Sequence, residues 1–366
     1  MPSVVYSLPS HQTAVVARQR GQLAVIHDAP VAPVDPKMAI VKTAAVAINP
    51  ADAKMLDYSI APGAIHGYDF SGTIVALGEH TPAHLAVGDR VAGVVHGMNA
   101  LQPNVGGFAE YVGAAAEFLF KIPDDMSFED AATLGTGVGT AGLALFKELN
   151  VPGSLELPEQ DGKKIKKIKS PPFILICGGS TATGTRAIEL AKIAGLRPIA
   201  TCSPKNFDLA RSFGAEQVFD YHDEDCAEQI RSYTSKSLAY VLDCVSLAHT
   251  TQLCLAAIGR AGGRYLALEP YRDKLATRKT VKMSWIMMLT IFGRRVALDG
   301  VYGRDAQPED YELGKTLFAQ VQKLLDKGMI HTHPIQLMGG GWDSVVKGVD
   351  QIRNSEVSGY KLVYSV

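Results

Sequence analysis

The second half of the chain alternates short apolar runs with stretches of helical periodicity. The run Phe173–Cys177 is apolar throughout and short enough for one buried parallel strand. Further strands are predicted at 197–202, 217–220, 240–245 and 264–268, and helices at 184–194, 206–213, 225–234 and 250–258. Strands that alternate with helices in this way predict a doubly wound parallel sheet.

Residues 11–150 have a different pattern, with short apolar stretches separated by glycines. Strands are predicted within 39–48, 68–78, 87–93 and 106–112. Ser127, followed by Asp130 three residues later, indicates the start of a helix, and a second helix is predicted over 139–149. Short strands at such intervals favour a compact, barrel-like β domain.

The C-terminal residues 301–366 are predicted to form two helices and two strands. The helices cover 310–327 and 342–354, and the strands lie near Ile335 and at 361–366. Because this segment has no sheet of its own, we expect it to return to the first domain. The predicted domains are therefore 1–150, 151–300 and the returning segment 301–366.

The turn after Phe173–Cys177 is a candidate anion site. A strand, a small-residue turn and a helix N-terminus bring backbone N–H groups and the positive end of a helix dipole to one place. Only Gly178 and Gly184 occupy the glycine positions of the dinucleotide fingerprint. The turn is thus either a nucleotide-binding loop or an ordinary strand-to-helix connection.

The composition limits the classes of protein to which this chain can belong. With 47% hydrophobic residues, 20% charged residues and a net charge of −1, the chain is typical of a globular protein and offers no electrostatic case for nucleic-acid or membrane binding. The apolar patch 285–292 is too short to span a bilayer. The first residues show no signal peptide, and the five cysteines form no Cys-x-x-Cys pair. We expect a cytoplasmic protein.

A lysine-rich segment, Lys163 to Lys169, lies within a stretch that also contains Pro152, Gly153 and Pro158. The composition predicts a solvated loop between domains. A docking role for the lysines is the alternative.

Four short motifs carry a resemblance to a known superfamily. They are Ala47 to Asp52, Gly67 to Gly72, Val87 to Val91 and Leu190 to Lys192. In this order they resemble the medium-chain dehydrogenases/reductases. The resemblance implies an α/β fold with a GroES-like β-barrel catalytic domain and a Rossmann domain.

The zinc-dependent members of that superfamily carry a cysteine where this chain has Asn49, and His-Glu where it has Tyr68-Asp69. Asparagine and tyrosine are not usual zinc ligands. We therefore expect no metal, which favours reduction of a conjugated double bond over alcohol oxidation.

Three further stretches, 177–183, 200–210 and 257–263, resemble the trans-acting enoyl reductases of fungal polyketide synthases. The resemblance implies reduction of the α,β-double bond of a polyketide bound to the acyl carrier protein of a polyketide synthase or a synthase–peptide synthetase hybrid. We expect a monomer.

The residues after the second strand of the nucleotide domain indicate the cofactor. Ser203, Pro204, Lys205 and Asn206 offer donors for a 2′-phosphate and no carboxylate that would prefer a ribose hydroxyl. Asp208 is expected to lie inside the next helix. NADPH is therefore the predicted cofactor.

The resemblance also implies the site residues. Those implied to contact the cofactor are Pro50, Ala51, Asp52, Ala53, Ser180, Thr181, Ala182, Thr183, Ser203, Pro204, Lys205, Asn206, Tyr221, Leu268, Glu269, Val357 and Ser358. Those implied to contact the substrate are Ala141, Gly142, Leu143, Ala144, Leu145, Met288, Leu289, Thr290, Ile291 and Phe292. For Met288 to Phe292, an ordinary apolar core or a subunit interface is the alternative.

Lys54 and Thr140 are the candidate catalytic residues. Lys54 is a candidate to stabilise an oxyanion or bind the nicotinamide ribose, and its alternative is a surface lysine. Thr140 lies where the family contacts cofactor and substrate, although a threonine at a helix start is also an ordinary cap. Tyr68 and water are equal candidates for the proton donor.

Two other functions fit the same pattern. One is an NADPH-dependent quinone or small-enone reductase, and the other is an NADPH-binding protein without catalytic activity.

Overall fold

The computed structural model describes residues 8–156 and 168–366. The chain divides into two compact units, one comprising residues 1–136 and 289–366 and the other residues 137–288. These boundaries differ from the predicted 150 and 300. Residues 151–156 and 168–170 belong to the second unit. Lys163, Lys164, Lys166 and Lys167 of the lysine-rich segment lie outside the described residues.

The first part of the chain is mainly antiparallel β structure. Its elements are β1 His11–Gln19, β2 Gln22–Pro30, β3 Met38–Ala47, α1 Pro50–Tyr58, β4 Asp69–Leu77, β5 Arg90–Val94, β6 Tyr111–Ala115, β7 Leu119–Lys121, α2 Phe128–Ala131 and α3 Gly135–Leu143. Strand β3 pairs with both β4 and β6. The predicted cap of α2 is confirmed, because the Asp130 N–H donates to Ser127 Oγ at 3.0 Å.

The second unit is a doubly wound sheet. Its elements are β8 Phe173–Cys177, α4 Ala182–Ile193, β9 Arg197–Cys202, α5 Phe207–Ser212, β10 Gln217–Asp220, α6 Cys226–Tyr233, β11 Tyr240–Asp243, α7 Ala248–Ala257, β12 Gly263–Ala267 and β13 Val281–Trp285. The six strands are parallel in the order β10-β9-β8-β11-β12-β13. The predicted fold class is confirmed, and β13 adds a strand that the sequence pattern does not predict.

The last segment belongs to the first unit. Its elements are α8 Pro308–Leu325, β14 Ile335–Met338, α9 Gly341–Arg353 and β15 Lys361–Ser365. Strand β15 lies between β14 and β3. Val345, Val349 and Tyr364 from this segment share one buried core with Phe70 and Ile74. Residues separated by almost the whole chain therefore complete a single hydrophobic core.

Within the described ranges, no helix combines the length and the apolar character that a membrane span needs.

Candidate cofactor and substrate sites

The turn between β8 and α4 is closely packed at each of its glycines. Gly178 has φ +80°, and a Cβ there would lie 2.7 Å from Val245 Cγ2. A Cβ on Gly179 would lie 2.6 Å from Ala200 Cβ, and one on Gly184 only 2.2 Å from the carbonyl oxygen of Gly178. The turn therefore tolerates no side chain at these positions. That tight strand-to-helix geometry is the one that brings backbone N–H groups to a pyrophosphate.

Thr181 has a structural role in this turn. Its hydroxyl donates to the Gly178 carbonyl at 2.9 Å and accepts from the Gly184 N–H at 2.9 Å. This is an N-cap on α4, so the hydroxyl is already engaged by the protein. Ser180, Ala182 and Thr183 are only half-buried, and their contact with the cofactor stays a prediction.

The ends of β8, β9 and β10 bring four predicted cofactor residues together. Asn206 Nδ2 donates to Ser180 Oγ at 3.3 Å, and Ser203 Oγ lies 3.4 Å from Tyr221 Oη. Lys205 is exposed beside them, as is Pro204. The result is a cluster of hydroxyl, amide and ammonium groups at the carboxyl edge of the sheet.

Asp208, the carboxylate nearest to this cluster in sequence, lies in the first turn of α5, as expected. Its side chain is 99% exposed and lies 3.3 Å from the guanidinium of Arg211. The connection 203–206 directly after β9 therefore presents donors and no acid.

Asp243 supports the loop beside the predicted residue Leu268, and the sequence pattern does not identify it. Its Oδ1 accepts from the N–H groups of Val245 and Ser246 at 3.0 and 2.8 Å. Ser246 Oγ in turn accepts from the Leu268 N–H at 2.9 Å. Glu269, the next predicted residue, is half-buried. A charged residue at the end of the apolar run 240–243 is the signal in the sequence that points to such a role.

The predicted substrate residues Ala141, Gly142, Leu143, Ala144 and Leu145 are all buried, as is Thr140. They lie in α3 and in the π-helical turn Ala144–Glu148 that continues it, in which the Leu149 N–H donates to the Ala144 carbonyl at 2.9 Å. π-turns are frequent at functional sites. Contact of these residues with substrate stays a prediction.

Helix α1 carries the predicted residues Pro50 to Lys54. Pro50 occupies the first turn, where its missing N–H is no loss, and Asn49 precedes it. The Asn49 N–H donates to Asp52 Oδ2 at 2.7 Å, so Asp52 serves the helix start. Burial raises the pKa of Asp52 well above its ordinary value. Of this group, Pro50 and Lys54 are exposed, Ala51 is half-buried, and Asp52 and Ala53 are buried.

Asp69 joins three segments that carry predicted site residues. Its Oδ2 accepts from Asn49 Nδ2 at 3.0 Å and from Lys361 Nζ. Its Oδ1 accepts from both the N–H and the hydroxyl of Thr136, each at 2.7 Å. Asn49 precedes α1, Thr136 is the second residue of α3, and Lys361 begins β15 just after Val357 and Ser358. The sequence pattern points to Asp69 through the motif Gly67 to Gly72 and a zinc-ligand position, and does not point to Lys361.

The pair Asp69–Lys361 is buried, with side chains 0% and 4% exposed. A buried carboxylate with an ammonium and three further donors is fully compensated. Val357 is half-buried and Ser358 is exposed.

Asn49 and Tyr68 stand where the zinc-dependent proteins have zinc ligands, and neither side chain is placed to bind a metal as those ligands do. The Asn49 amide donates to Asp69, and Tyr68 is buried, which raises the pKa of its phenol well above the ordinary value. The absence of zinc stays a prediction.

A second group, Cys177, Asp243 and Cys254, has its ligand atoms within 4.8 Å of one another. Each oxygen of Asp243 already accepts two hydrogen bonds, since Oδ2 accepts from Thr250 Oγ1 at 2.8 Å and Tyr265 Oη at 2.9 Å. Burial also raises the pKa of the Cys254 thiol well above its ordinary value. A metal needs thiolates and free carboxylate lone pairs, so these residues do not fit one.

Two of the remaining predicted substrate residues line a cavity in the first unit. Leu289 and Phe292 contribute to a cavity of about 280 Å³, together with Val95, His96 and Tyr311. Met288, Thr290 and Ile291 are buried. The size is that of a small-molecule site, and neither His96 nor Tyr311 is identified by the sequence analysis.

The chain is similar to known proteins along its whole length. Residues 35–124 match the alcohol dehydrogenase GroES-like domain family, and residues 182–296 match the zinc-binding dehydrogenase family. The trans-enoyl reductase caaB of Aspergillus niger is 61% identical over 368 residues, and the trans-enoyl reductase traG of Penicillium crustosum is 59% identical over 368 residues. Both alignments cover 100% of this chain and 100% of the relative.

Solved structures share the fold. The CurK enoyl reductase has a TM-score of 0.72 at 18% identity, covering 97% of this chain and 99% of that one. The quinone oxidoreductase of Pseudomonas syringae has a TM-score of 0.71 at 19% identity, covering 97% and 100%. An enoyl reductase of this superfamily implies a nicotinamide cofactor. The chain belongs to the trans-enoyl reductases, oxidoreductases of the medium-chain dehydrogenase/reductase superfamily.

Proposed function

We propose that this enzyme uses NADPH to reduce the α,β-double bond of a polyketide intermediate bound to an acyl carrier protein, in fungal secondary metabolism. It acts in trans, as a separate partner of a polyketide synthase or of a synthase–peptide synthetase hybrid. The full-length similarity to reductases named as trans-enoyl enzymes supports this assignment. The five cysteines are free, which supports the reducing cytoplasm as its compartment.

The choice of NADPH rests on the cluster at the ends of β8, β9 and β10. Ser203, Lys205 and Asn206 supply a hydroxyl, an ammonium and an amide after β9, and Asn206 is held against Ser180. These groups bind a 2′-phosphate, whereas an acid after the second strand would bind a ribose 2′-hydroxyl. Tyr221, against Ser203, offers a ring face for the adenine.

The pyrophosphate fits the turn between β8 and α4. The glycines leave no room for a Cβ, and α4 has 12 residues, enough for a helix dipole at its N-terminus. With the Thr181 hydroxyl used as a cap, backbone N–H groups and the side chains of Ser180 and Thr183 remain for phosphate oxygens.

When bound, the cofactor supplies a hydride to the β-carbon of the α,β-unsaturated thioester, and a proton is added at the α-carbon. Lys54 stabilises the negative charge that develops on the thioester oxygen or orients the ribose. Thr140 orients the substrate by hydrogen bonding. Tyr68 or water delivers the proton, and burial keeps the Tyr68 phenol neutral.

The reaction needs no metal in this proposal, because the thioester oxygen itself takes the charge. The contacts of Asn49 with Asp69 support a zinc-free site. Arg294 and Arg295, and separately Lys279 and Lys282, are exposed cations suited to the acidic surface of a carrier protein. Lys282 lies on the edge strand β13, where charge discourages pairing with a second copy, in keeping with a monomer.

The central test is oxidation of NADPH in the presence of a short enoyl pantetheine thioester, followed by absorbance of the reduced nicotinamide. Turnover with NADPH and much weaker turnover with NADH are expected. Turnover of a free quinone without turnover of the thioester would instead identify a quinone reductase. Cofactor binding without any oxidation would identify a non-catalytic protein.

The cofactor assignment has a sharper test in Lys205→Glu. The variant is expected to raise the KM for NADPH about tenfold or more, through loss of a phosphate contact and addition of a repelling charge, and to change the KM for NADH much less. Lys274→Glu, at another exposed position of the same unit, is the control. Equal effects on both cofactors would place Lys205 away from the 2′-phosphate.

A further inference from the structure

The cavity in the first unit combines apolar surface with polar and charged lining residues, which are Lys37, His96, Asn99, Gln102, Glu117, Arg294, Arg295 and Tyr311. Met38, Val105, Leu289 and Phe292 supply apolar surface, and His96 and Glu117 lie in the same wall. All of these residues belong to the first unit. A cavity that combines apolar surface with convergent polar groups is the usual form of a site for an organic ligand.

Two buried polar atoms in this wall have no partner among the described residues. They are Nε2 of His96 and Oε2 of Glu117. His96 is only 8% exposed, and burial lowers its pKa to about 4, so the ring is neutral at physiological pH. Buried polar groups are nearly always hydrogen-bonded, and an exception calls for an explanation.

A hydrogen bond from Tyr311 holds the Glu117 carboxylate in place. Tyr311 Oη donates to Glu117 Oε1 at 2.8 Å, which leaves Oε2 as the open acceptor. Met98, two residues after His96, has φ 52°, a left-handed conformation that is unusual for methionine. Strained backbone of this kind clusters at ligand-binding sites.

We propose that His96 and Glu117 form a polar subsite that recognises a neutral donor–acceptor group, a hydroxyl or an amide, on the otherwise apolar chain of the substrate. This assignment rests on the proposed function and goes beyond it. Such a subsite selects among acyl thioesters by their oxygenation, and His96 and Glu117 are the two residues that set this selectivity.

The chemistry of the two atoms is complementary to such a group. The carboxylate oxygen of Glu117 can only accept, so the ligand must supply an O–H or N–H. A neutral imidazole offers either a donor or an acceptor, and a hydroxyl or an amide can meet both residues together. A purely hydrocarbon chain would leave both atoms buried and unpaired, and a site built for a hydrogen bond rejects ligands that lack it.

Two sources of this chemistry exist in the proposed substrate, a hydroxyl on the polyketide chain and the amides of the pantetheine arm. Three enoyl thioesters distinguish these two sources experimentally. The first carries a hydroxyl on the acyl chain and is joined to pantetheine, the second lacks that hydroxyl, and the third carries it but is joined to a simple alkyl thiol.

Glu117→Gln is the test variant, because it keeps the shape and replaces the open acceptor with an N–H donor. It is expected to lower kcat/KM about ten- to hundredfold for the thioester whose group contacts Glu117. Loss confined to the two hydroxylated thioesters identifies the acyl hydroxyl as the ligand. Loss confined to the two pantetheine thioesters identifies an amide.

Glu129→Gln is the matched control, since Glu129 lies outside the cavity lining and accepts a hydrogen bond from the exposed Ser365. Glu129→Gln should leave kcat/KM unchanged for all three thioesters, and both variants should keep the melting temperature of the parent. Equal kcat/KM of Glu117→Gln and the parent on all three thioesters would overturn the subsite while the proposed function stood. If the parent enzyme reduces none of the three, the proposed function fails and the subsite with it.

Discussion

Asp69 in the first unit and Asp243 in the second are buried aspartates that each organise a site-bearing region, and the two are stabilised differently. Asp69 in the first unit accepts hydrogen bonds from Asn49, Thr136 and the ammonium of Lys361. Asp243 in the second unit accepts from Val245, Ser246, Thr250 and Tyr265, all of which are neutral. Each carboxylate accepts four hydrogen bonds, but of the two only Asp69 accepts one from a charged group.

The two aspartates also differ in how far along the chain their partners lie. The donors of Asp243 all lie within 22 residues of it, so its loop is shaped largely by its own neighbourhood. The Asp69–Lys361 pair spans 292 residues and ties the first β domain to the returning strand. Loss of a counter-charge in a buried pair costs more than loss of a neutral hydrogen bond, and this ranks the following predictions.

The largest effect is expected from Lys361→Met. The substitution leaves the Asp69 carboxylate buried without its cation, so the free energy of unfolding should fall by about 3–5 kcal/mol, measured by urea denaturation. The double variant Asp69→Asn/Lys361→Met removes both charges and should recover much of the loss.

Lys121→Met is the control for this prediction. Lys121 pairs with Asp89 at 2.7 Å, but its side chain is 49% exposed, and loss of the pair should cost less than about 1 kcal/mol. A similar loss for Lys121→Met and Lys361→Met would contradict the contrast between buried and exposed pairs.

The next effect concerns the buried histidines of the first unit. Burial lowers the pKa of His66 and of His96 to about 4, below the ordinary 6.5. The unfolded chain therefore binds more protons between these values, and stability that is fully present above pH 6.5 is lost as pH falls towards 4. Each histidine should contribute about 3 kcal/mol to that loss.

His96→Leu should reduce this pH dependence by about 3 kcal/mol when unfolding is followed at pH 7 and pH 4. His80→Gln, at an exposed histidine, should leave it unchanged. If His96→Leu showed the same change in free energy of unfolding between pH 7 and pH 4 as the parent, His96 would not be held neutral by burial.

A smaller effect is expected from Asp243→Asn. The amide keeps the shape of the side chain but can accept at only one of the two atoms, so one pair of donors loses its partner. The free energy of unfolding should fall by about 1–3 kcal/mol. Asp220→Asn, at a side chain 19% exposed that bonds to His222, is the comparison and should cost less. A loss as large as that of Lys361→Met would show that the counter-charge is not what distinguishes the two aspartates.

The smallest effect is expected from Thr181→Ala. Loss of the cap on α4 should lower stability by about 1 kcal/mol, measured by thermal unfolding. Thr181→Ser retains the hydroxyl and should be nearly neutral. If Thr181→Ser raised the KM for NADPH as much as Thr181→Ala, the methyl group rather than the cap would be the relevant feature.

The parallel sheet could be predicted closely from the sequence. The predicted ranges of β8, β9 and β10 match the strands residue for residue, because each is a short apolar run bounded by turn residues. The predicted cofactor cluster follows from that register, since residues after parallel strands meet at one edge.

Other features could not be predicted in this way. Helix α1 was missed because Asn49-Pro50 resembles the end of a strand, although proline in a first helical turn is equally well accommodated. A strand was expected from residue 106, but β6 begins at Tyr111. Gly106 instead packs against the backbone of Ile65, where a Cβ would lie 2.4 Å from the carbonyl oxygen. The pairing of Asp69 with Lys361, and the convergence of His96 with Glu117, depend on tertiary contacts that no local pattern encodes.

The position of Lys361 has a consequence for how the chain folds during synthesis. At about 5–20 residues per second, a ribosome needs about 15–60 s to proceed from Asp69 to a residue 292 positions later. Throughout that interval β3 lacks its neighbour β15 and Asp69 lacks its cation, whereas residues 137–288 are all synthesised before the interval ends. The nascent first unit thus exposes a sheet edge and an unneutralised acid, and is the part of the molecule expected to need chaperone protection.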